Sequence, residues 1–206
     1  MTEARTKVWD VFVRLFHWTL VLAFFIAYFT EPEDAGFAVH VWAGYLVGGL
    51  IVLRVMWGFV GTKHARFGDF AFAPAHALRY LVDLARGRAK RHLGHSPAGA
   101  WMVYLLLVTL AATVLTGMGA LAAEKHAGPL APLFAASQVD APGVSSTPAA
   151  SHERSEDVLE EVHELLANLA LLLVALHILG VVVASVSHRE NLVRAMITGR
   201  KRANPA

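Results

Sequence analysis

Four apolar stretches, residues 11–29, 37–60, 99–122 and 158–185, constrain this sequence more than any other feature. A helix rises about 1.5 Å per residue, so each stretch is long enough to cross a hydrocarbon core of about 30 Å. Of the 206 residues, 56% are hydrophobic and 17% charged, against roughly a quarter charged in a soluble globular domain. A soluble chain of this size has no core large enough to hide four such helices. The expected fold is therefore all-α: an integral membrane four-helix bundle that forms one domain over residues 1–206. Cysteine is absent, which excludes disulfides and thiolate-held metal centres.

The basic residues give the orientation. Arg5, Lys7 and Arg14 precede or open the first stretch; Lys63, Arg66, Arg79, Arg86, Arg88, Lys90 and Arg91 lie between the second and third; Arg189, Arg194, Arg200, Lys201 and Arg202 follow the fourth. The alternate connections hold only Lys125 and Arg154, beside acids such as Glu31, Glu33, Asp34, Asp140 and Asp157. The positive-inside rule then expects both termini to be cytoplasmic, in a multi-pass membrane protein. This asymmetry accounts for the net charge of +2, and no patch is left that reads as a nucleic-acid site. The first stretch lacks a convincing small-x-small cleavage site and reads as a retained span. Residues 74–87 put Leu78, Leu81, Val82 and Ala85 on one helical face and Arg79, Asp83 and Arg86 on the other, with a proline near the start, which predicts a short amphipathic helix along the cytoplasmic interface. The connection 123–157 is expected to be a flexible outer loop, with a turn or short helix at 129–136.

Ionisable groups inside spans are costly and mark function. Four are histidines: His17 and His40 near the starts of the first two spans, and His163 and His177 in the fourth. The last two are fourteen residues apart, on one helix face and separated by about 21 Å in depth. With alternating span directions, His17 is level with His177 near the inner surface and His40 with His163 near the outer one. Two imidazole pairs at two depths suit bis-histidine ligation of two stacked haems. Zinc wants about four ligands at one centre, which the spans supply poorly. A proton relay needs no matched pairs, and structural packing remains the plain reading of any one histidine. Arg54, fourteen residues after His40, is a candidate partner for an inner-haem propionate, or else snorkels to lipid phosphate. The small residues Ala43, Gly44, Gly48, Gly49 and Ala167 offer room for a porphyrin edge or simply tight packing, and Gly117 and Gly119 allow close approach or a local break. At the inner surface, His64, Arg66, His92, His95 and His188 form either a basic rim or contacts to a quinone or propionate.

With these residues placed, the chain resembles the bacterial cytochrome b561 family, in the branch that includes the b-type cytochrome subunits of nickel–iron hydrogenases. The resemblance rests on Val8-Trp9-Asp10, Arg14-Leu15-Phe16-His17-Trp18, His40-Val41-Trp42-Ala43-Gly44-Tyr45, Arg54-Val55-Met56-Trp57-Gly58 and the run from Gly61 to Phe67. It continues through Gly94-His95-Ser96-Pro97-Ala98-Gly99, Thr116-Gly117, His163-Glu164, His177-Ile178-Leu179-Gly180 and the run from Ser187 to Gly199, covering nearly everything outside 124–157. It implies two haem b groups between four helices, the inner one held by His17 and His177 and the outer one by His40 and His163.

The function so implied is electron transfer across the bilayer, in a respiratory chain, between the quinone pool and a periplasmic partner. The small outer loop favours a c-type cytochrome as that partner over a large docked enzyme. The same scaffold also serves as a haem-containing membrane anchor for a hydrogenase or other soluble enzyme, and as a superoxide:quinone oxidoreductase. Whether the chain itself has quinone oxidoreductase activity stays open, and membrane lipid and a homodimer partner are both compatible with it.

Overall fold

A computed structural model describes residues 5–30, 36–136 and 148–203, with the backbone alone for 134–136 and 148–156. A short strand β1 (Arg5–Lys7) leads into helices α1 (Val11–Phe29) and α2 (Gly36–Val60). Two 3-10 turns, Lys63–Ala65 and Phe67–Asp69, precede α3 (Pro74–Ala85) and α4 (Pro97–Lys125). The short α5 (Ala131–Ala136), the long α6 (Pro148–Ser187), α7 (Leu192–Thr198) and strand β2 (Arg200–Arg202) complete the chain. Among the described residues, four helices are long and apolar enough to cross a membrane: Val11–Phe29, Gly36–Val60, Pro97–Lys125 and, within α6, Asp157–Ser187. Large apolar side chains on all four are exposed, among them Leu22, Trp42, Phe59, Val108, Leu172 and Val186. Surfaces of that kind belong in lipid rather than water.

The chain divides into two compact units, one made of Met1–Leu107 with Leu172–Ala206 and the other of Val108–Leu171. In the first, α1 and α2 form an antiparallel hairpin fastened at its open end by Asp10. The Asp10 side chain caps α1 through the Val13 N–H at 2.8 Å and also accepts from Trp57 Nε1 at 3.0 Å and Thr62 Oγ1 at 2.6 Å. A capping acid ahead of an apolar run is a local signal. Its two distant partners, Trp57 and Thr62, are not.

The same unit carries a polar collar that sequence patterning does not reveal. Strands β1 and β2 pair antiparallel, with Arg5 opposite Arg202 and Lys7 opposite Arg200. Like charges across a ladder are unfavourable, and three-residue strands show no periodicity to read. Glu190 offsets the repulsion: it accepts from Arg91 Nε and Nη2 at 3.0 and 2.8 Å and from the Arg202 N–H at 3.0 Å. The Val8 and Trp9 N–H groups donate to the Gly199 carbonyl at 2.8 and 3.1 Å. Gly199 ends α7 with φ of 76°, and a Cβ there would lie 2.6 Å from the Trp9 carbonyl oxygen, so only glycine fits. Val8, Trp9, Val13 and Ala65 pack beneath this collar.

Helix α3 starts at Pro74 and stops before Gly87, whose φ is +67°. Ala77 and Tyr80 face the protein while Leu78, Leu81 and Val82 are exposed, as an interfacial amphipathic helix requires.

The stretch expected to be a loop over 123–157 is helical at both ends. Helix α4 runs to Lys125, α5 occupies Ala131–Ala136, and α6 begins at Pro148. Proline suits the first helical position, and the Glu-rich run that follows is a good helix former despite its polarity, so the apolar run underestimates the helix. The part of that loop at 137–147 lies outside the described residues.

Candidate functional site

Of the four span histidines, two meet directly in the first unit. His17 on α1 and His177 on α6 have ring centroids 6.4 Å apart and planes inclined by 53°. An imidazole–metal bond is about 2.0 Å and the ring centre lies about 1.1 Å behind the bonding nitrogen, so one metal between two imidazoles sets the centroids roughly 6.2 Å apart. The observed spacing therefore suits axial ligation by both rings. It is too long for direct ring stacking to be its purpose. Trp18 meets His17 edge-on at 5.0 Å, and the His17 Nδ1 is sealed from solvent without a hydrogen-bond partner.

Arg54 lies on α2 and is 3% exposed. Its Cζ sits 5.1 Å from the Phe67 ring centroid, and Nη1 is buried with no partner. Phe67 can take that place because residue 58 is glycine: a Cβ there would come within 2.1 Å of the Phe67 ring. An uncompensated buried guanidinium nitrogen is costly, so the arrangement suits an anionic group. A haem propionate fits this requirement, and a lipid phosphate would need Arg54 to be more exposed than it is.

His40 stands at the other end of the α1–α2 hairpin. Its Nδ1 is 2.8 Å from the carbonyl of Ala27, one of the last four carbonyls of α1, which find no partner within the helix. Ten residues of α1 separate Ala27 from His17, about 15 Å of rise. A carbonyl only accepts, so Nδ1 donates. A donor bond of that kind is what orients a metal-ligating histidine.

The second unit repeats this device with His163 on α6. Its Nδ1 is 2.8 Å from the Thr113 carbonyl and 3.4 Å from Thr116 Oγ1 on α4. The ring reaches that carbonyl across Gly117, where a Cβ would lie 2.7 Å from its Cε1 and 2.9 Å from its Nδ1. Helix α4 continues unbroken through Gly117, so the glycine serves close approach and not a break. Added Cβ atoms at Gly44 and Gly49, by contrast, meet nothing within 4 Å, which leaves room beside α2 for a flat group. Among the described residues no group of three or more His, Asp or Glu side chains is placed to hold a metal ion.

The residues expected at the inner surface make distinct contacts. His64 pairs with Asp69 at 2.8 Å, and Arg66 Nε donates to the Gly61 carbonyl at 2.7 Å. His188 Nε2 is 3.1 Å from the hydroxyl of Tyr80. His92 Nδ1 lies 3.0 Å from the Lys90 carbonyl, and Lys201 Nζ donates to the His92 carbonyl at 3.3 Å. His95 packs between Trp9 and Phe70, with centroids at 4.7 and 4.3 Å. Burial raises the Asp10 carboxyl, but hydrogen bonds from Thr62, Val13 and Trp57 together with the Arg54 charge outweigh it and hold the group below its ordinary range. Glu190 follows the same logic: burial raises it, while Arg91, the Arg202 N–H and Lys201 bring it below. Burial, aided by the Arg91 charge, lowers the His188 pKa. The sequence reading did not single out Asp10 and Glu190 as structural anchors, although an acid immediately before an apolar run is a cap signature.

Apolar spanning helices that carry matched histidines define a class, a multi-pass membrane protein built to hold a cofactor within the bilayer. The chain belongs to the prokaryotic cytochrome b561 family, whose sequence profile matches residues 8–199. It is thus a membrane haem b protein of electron transport. A probable Ni/Fe-hydrogenase B-type cytochrome subunit of Rhizobium leguminosarum bv. viciae is 28% identical over 125 residues, covering 48% of this chain and 52% of the relative. The protein of the same description from Azotobacter vinelandii is 26% identical over 172 residues, covering 66% of this chain and 71% of the relative. The chain therefore spans about half the length of the first of these relatives. No solved structure matches it.

Proposed function

We propose that this protein is a di-haem cytochrome b that passes electrons across the bacterial inner membrane between the quinone pool and a partner on the periplasmic side, with both of its own termini cytoplasmic. The observation that carries the reading is the 6.4 Å spacing of the His17 and His177 rings. In this account His17 and His177 ligate the inner haem, and His40 and His163 the outer one. The Nδ1 contacts of His40 and of His163 to backbone carbonyls support the same role for each, since a ligating histidine commonly donates its other ring N–H in this way. Bound haem b supplies a reversible one-electron ferric/ferrous couple. His17, His177, His40 and His163 would hold the two groups through imidazole nitrogens and would leave neither iron the open position that oxygen binding needs. Arg54 offers compensating charge to a propionate, and the apolar helices keep the pathway dry.

The names of the two relatives favour a hydrogenase-like enzyme as the electron partner, with this chain serving as its haem-bearing membrane subunit. A periplasmic c-type cytochrome is the alternative.

Proteoliposomes made with the purified protein, a quinol in the membrane and a membrane-impermeant oxidant outside test the function. Quinol is expected to reduce both haems, and the external oxidant to draw electrons only while quinol is present. Haems that do not equilibrate with quinol would leave an anchor without current. Adding a purified hydrogenase or a c-type cytochrome in place of the oxidant separates the two partners.

A further inference from the structure

Among the described residues, three buried polar side-chain atoms lack a hydrogen-bond partner: His17 Nδ1, Arg54 Nη1 and His95 Nδ1. All three belong to the first unit. The proposed ligation accounts for His17, and the proposed propionate contact accounts for Arg54. Nothing so far accounts for His95.

The His95 ring is held from both sides by Trp9 and by Phe70, which are 7% and 1% exposed. Its backbone is equally fixed, because the next residue, Ser96, caps α4 with its side chain at 3.2 Å from the Gly99 N–H and its carbonyl at 2.8 Å from the Ala100 N–H. The ring cannot swing out to satisfy Nδ1 in water. Burial, followed by the charges of Arg54, Lys201, His64 and His177, lowers its pKa to about 3, so the ring is neutral and has one N–H to donate. Arg54 reaches the same aromatic cluster: its guanidinium lies over Phe67, the Phe67 and Phe70 centroids are 5.8 Å apart, and Phe70 touches His95.

A buried guanidinium nitrogen and a buried imidazole nitrogen, both without a hydrogen-bond partner and close enough for the Arg54 charge to act on His95, suit an anion with several acceptor oxygens. A trapped water would satisfy one nitrogen but would leave Arg54 with only the Asp10 carboxylate, already bonded to Val13, Trp57 and Thr62, as opposite charge. We infer that His95 donates from Nδ1 to a propionate of the inner haem, so that Arg54 and His95 together hold the carboxylate edge of that haem. The inference rests on the di-haem reading above and goes beyond it by giving a role to a residue outside the spans.

The test uses purified haem-loaded protein as wild type, His95→Leu, His95→Gln and Arg54→Gln. Haem is counted by pyridine haemochrome, potentials are read by optical redox titration, and the propionate-bending bands by resonance Raman. His95→Leu is expected to keep two haems, to lower the midpoint potential of the haem that His177→Ala loses while sparing the other, and to shift a propionate-bending band. His95→Gln, whose amide still donates, is expected to return both readouts most of the way. Unshifted potentials and propionate bands in His95→Leu, with Arg54→Gln shifted, would overturn the role of His95. Equal shifts of both haems would also overturn it, since they would report a general loosening. If His95→Leu does not fold, His95→Ala carries the same test with the same deciding outcomes. Wild type without haem would refute the di-haem reading instead.

Discussion

The pair His17 and His177 and the single ring of His163 are held by different means. In the unit that brings His17 and His177 together, the rings depend on long-range ties. Asp10 joins α1 to Trp57 and Thr62, and Glu190 joins Arg91 to Arg202, so residues far apart in sequence close one end of the helices. His163 depends on one stretch of α4, where the Thr113 carbonyl receives its Nδ1 and Gly117 clears the path. The first arrangement is robust to any one local change but sensitive to whatever loosens the collar. The second is set by five consecutive residues and fails if one of them grows.

The largest contrast is expected from Gly117→Ala. The added methyl falls 2.7 Å from the His163 ring, so the ring must move off its carbonyl. Haem content by pyridine haemochrome should drop from two per chain to one, with the haem that requires His177 retained. Gly180→Ala is the matched control, because a Cβ there meets nothing within 4 Å, and it should keep both haems. Equal losses in the two variants would break the contrast.

A smaller effect is expected from acid. Asp10 and Glu190 have folded-state pKa values below their ordinary ones, so the stability they contribute is present above the ordinary carboxylate range of about 4 and is lost as pH falls through the folded values. The thermal unfolding midpoint, followed by circular dichroism in detergent, should fall as pH drops below about 4. The haem that requires His177 should be released before the other. Asp10→Asn with Glu190→Gln should flatten this dependence, and an unchanged acid profile in that double variant would show that the collar carboxylates are not its source.

Much of the helical architecture was legible because lipid imposes a simple code. The stretch 11–29 coincides with α1, and the second and third stretches lie within α2 and α4. A long apolar run has one solution in a bilayer, since every backbone group must be bonded within its own helix. The start of α6 was not legible, because Pro148 to Asp157 is polar helix outside the apolar run. The collar was not legible either. Three-residue strands have no period, and the bonds of Glu190 to Arg91 and Arg202 depend on the tertiary fold. At the site, histidine spacing exposed the candidates, and Gly117 stood out as a small residue in an apolar helix. Which histidine it serves, and that His95 is sealed against Trp9 and Phe70, required the coordinates.

The central claim is that the four histidines hold two haems in two pairs. It is tested most directly by reduced-minus-oxidised absorption spectra with pyridine haemochrome quantification on detergent-purified wild type, His163→Ala and His177→Ala. The account predicts two haems b per chain in the wild type and one in each variant, with different midpoint potentials for the haem that remains. No haem in the wild type, or the same haem lost in both variants, would contradict it.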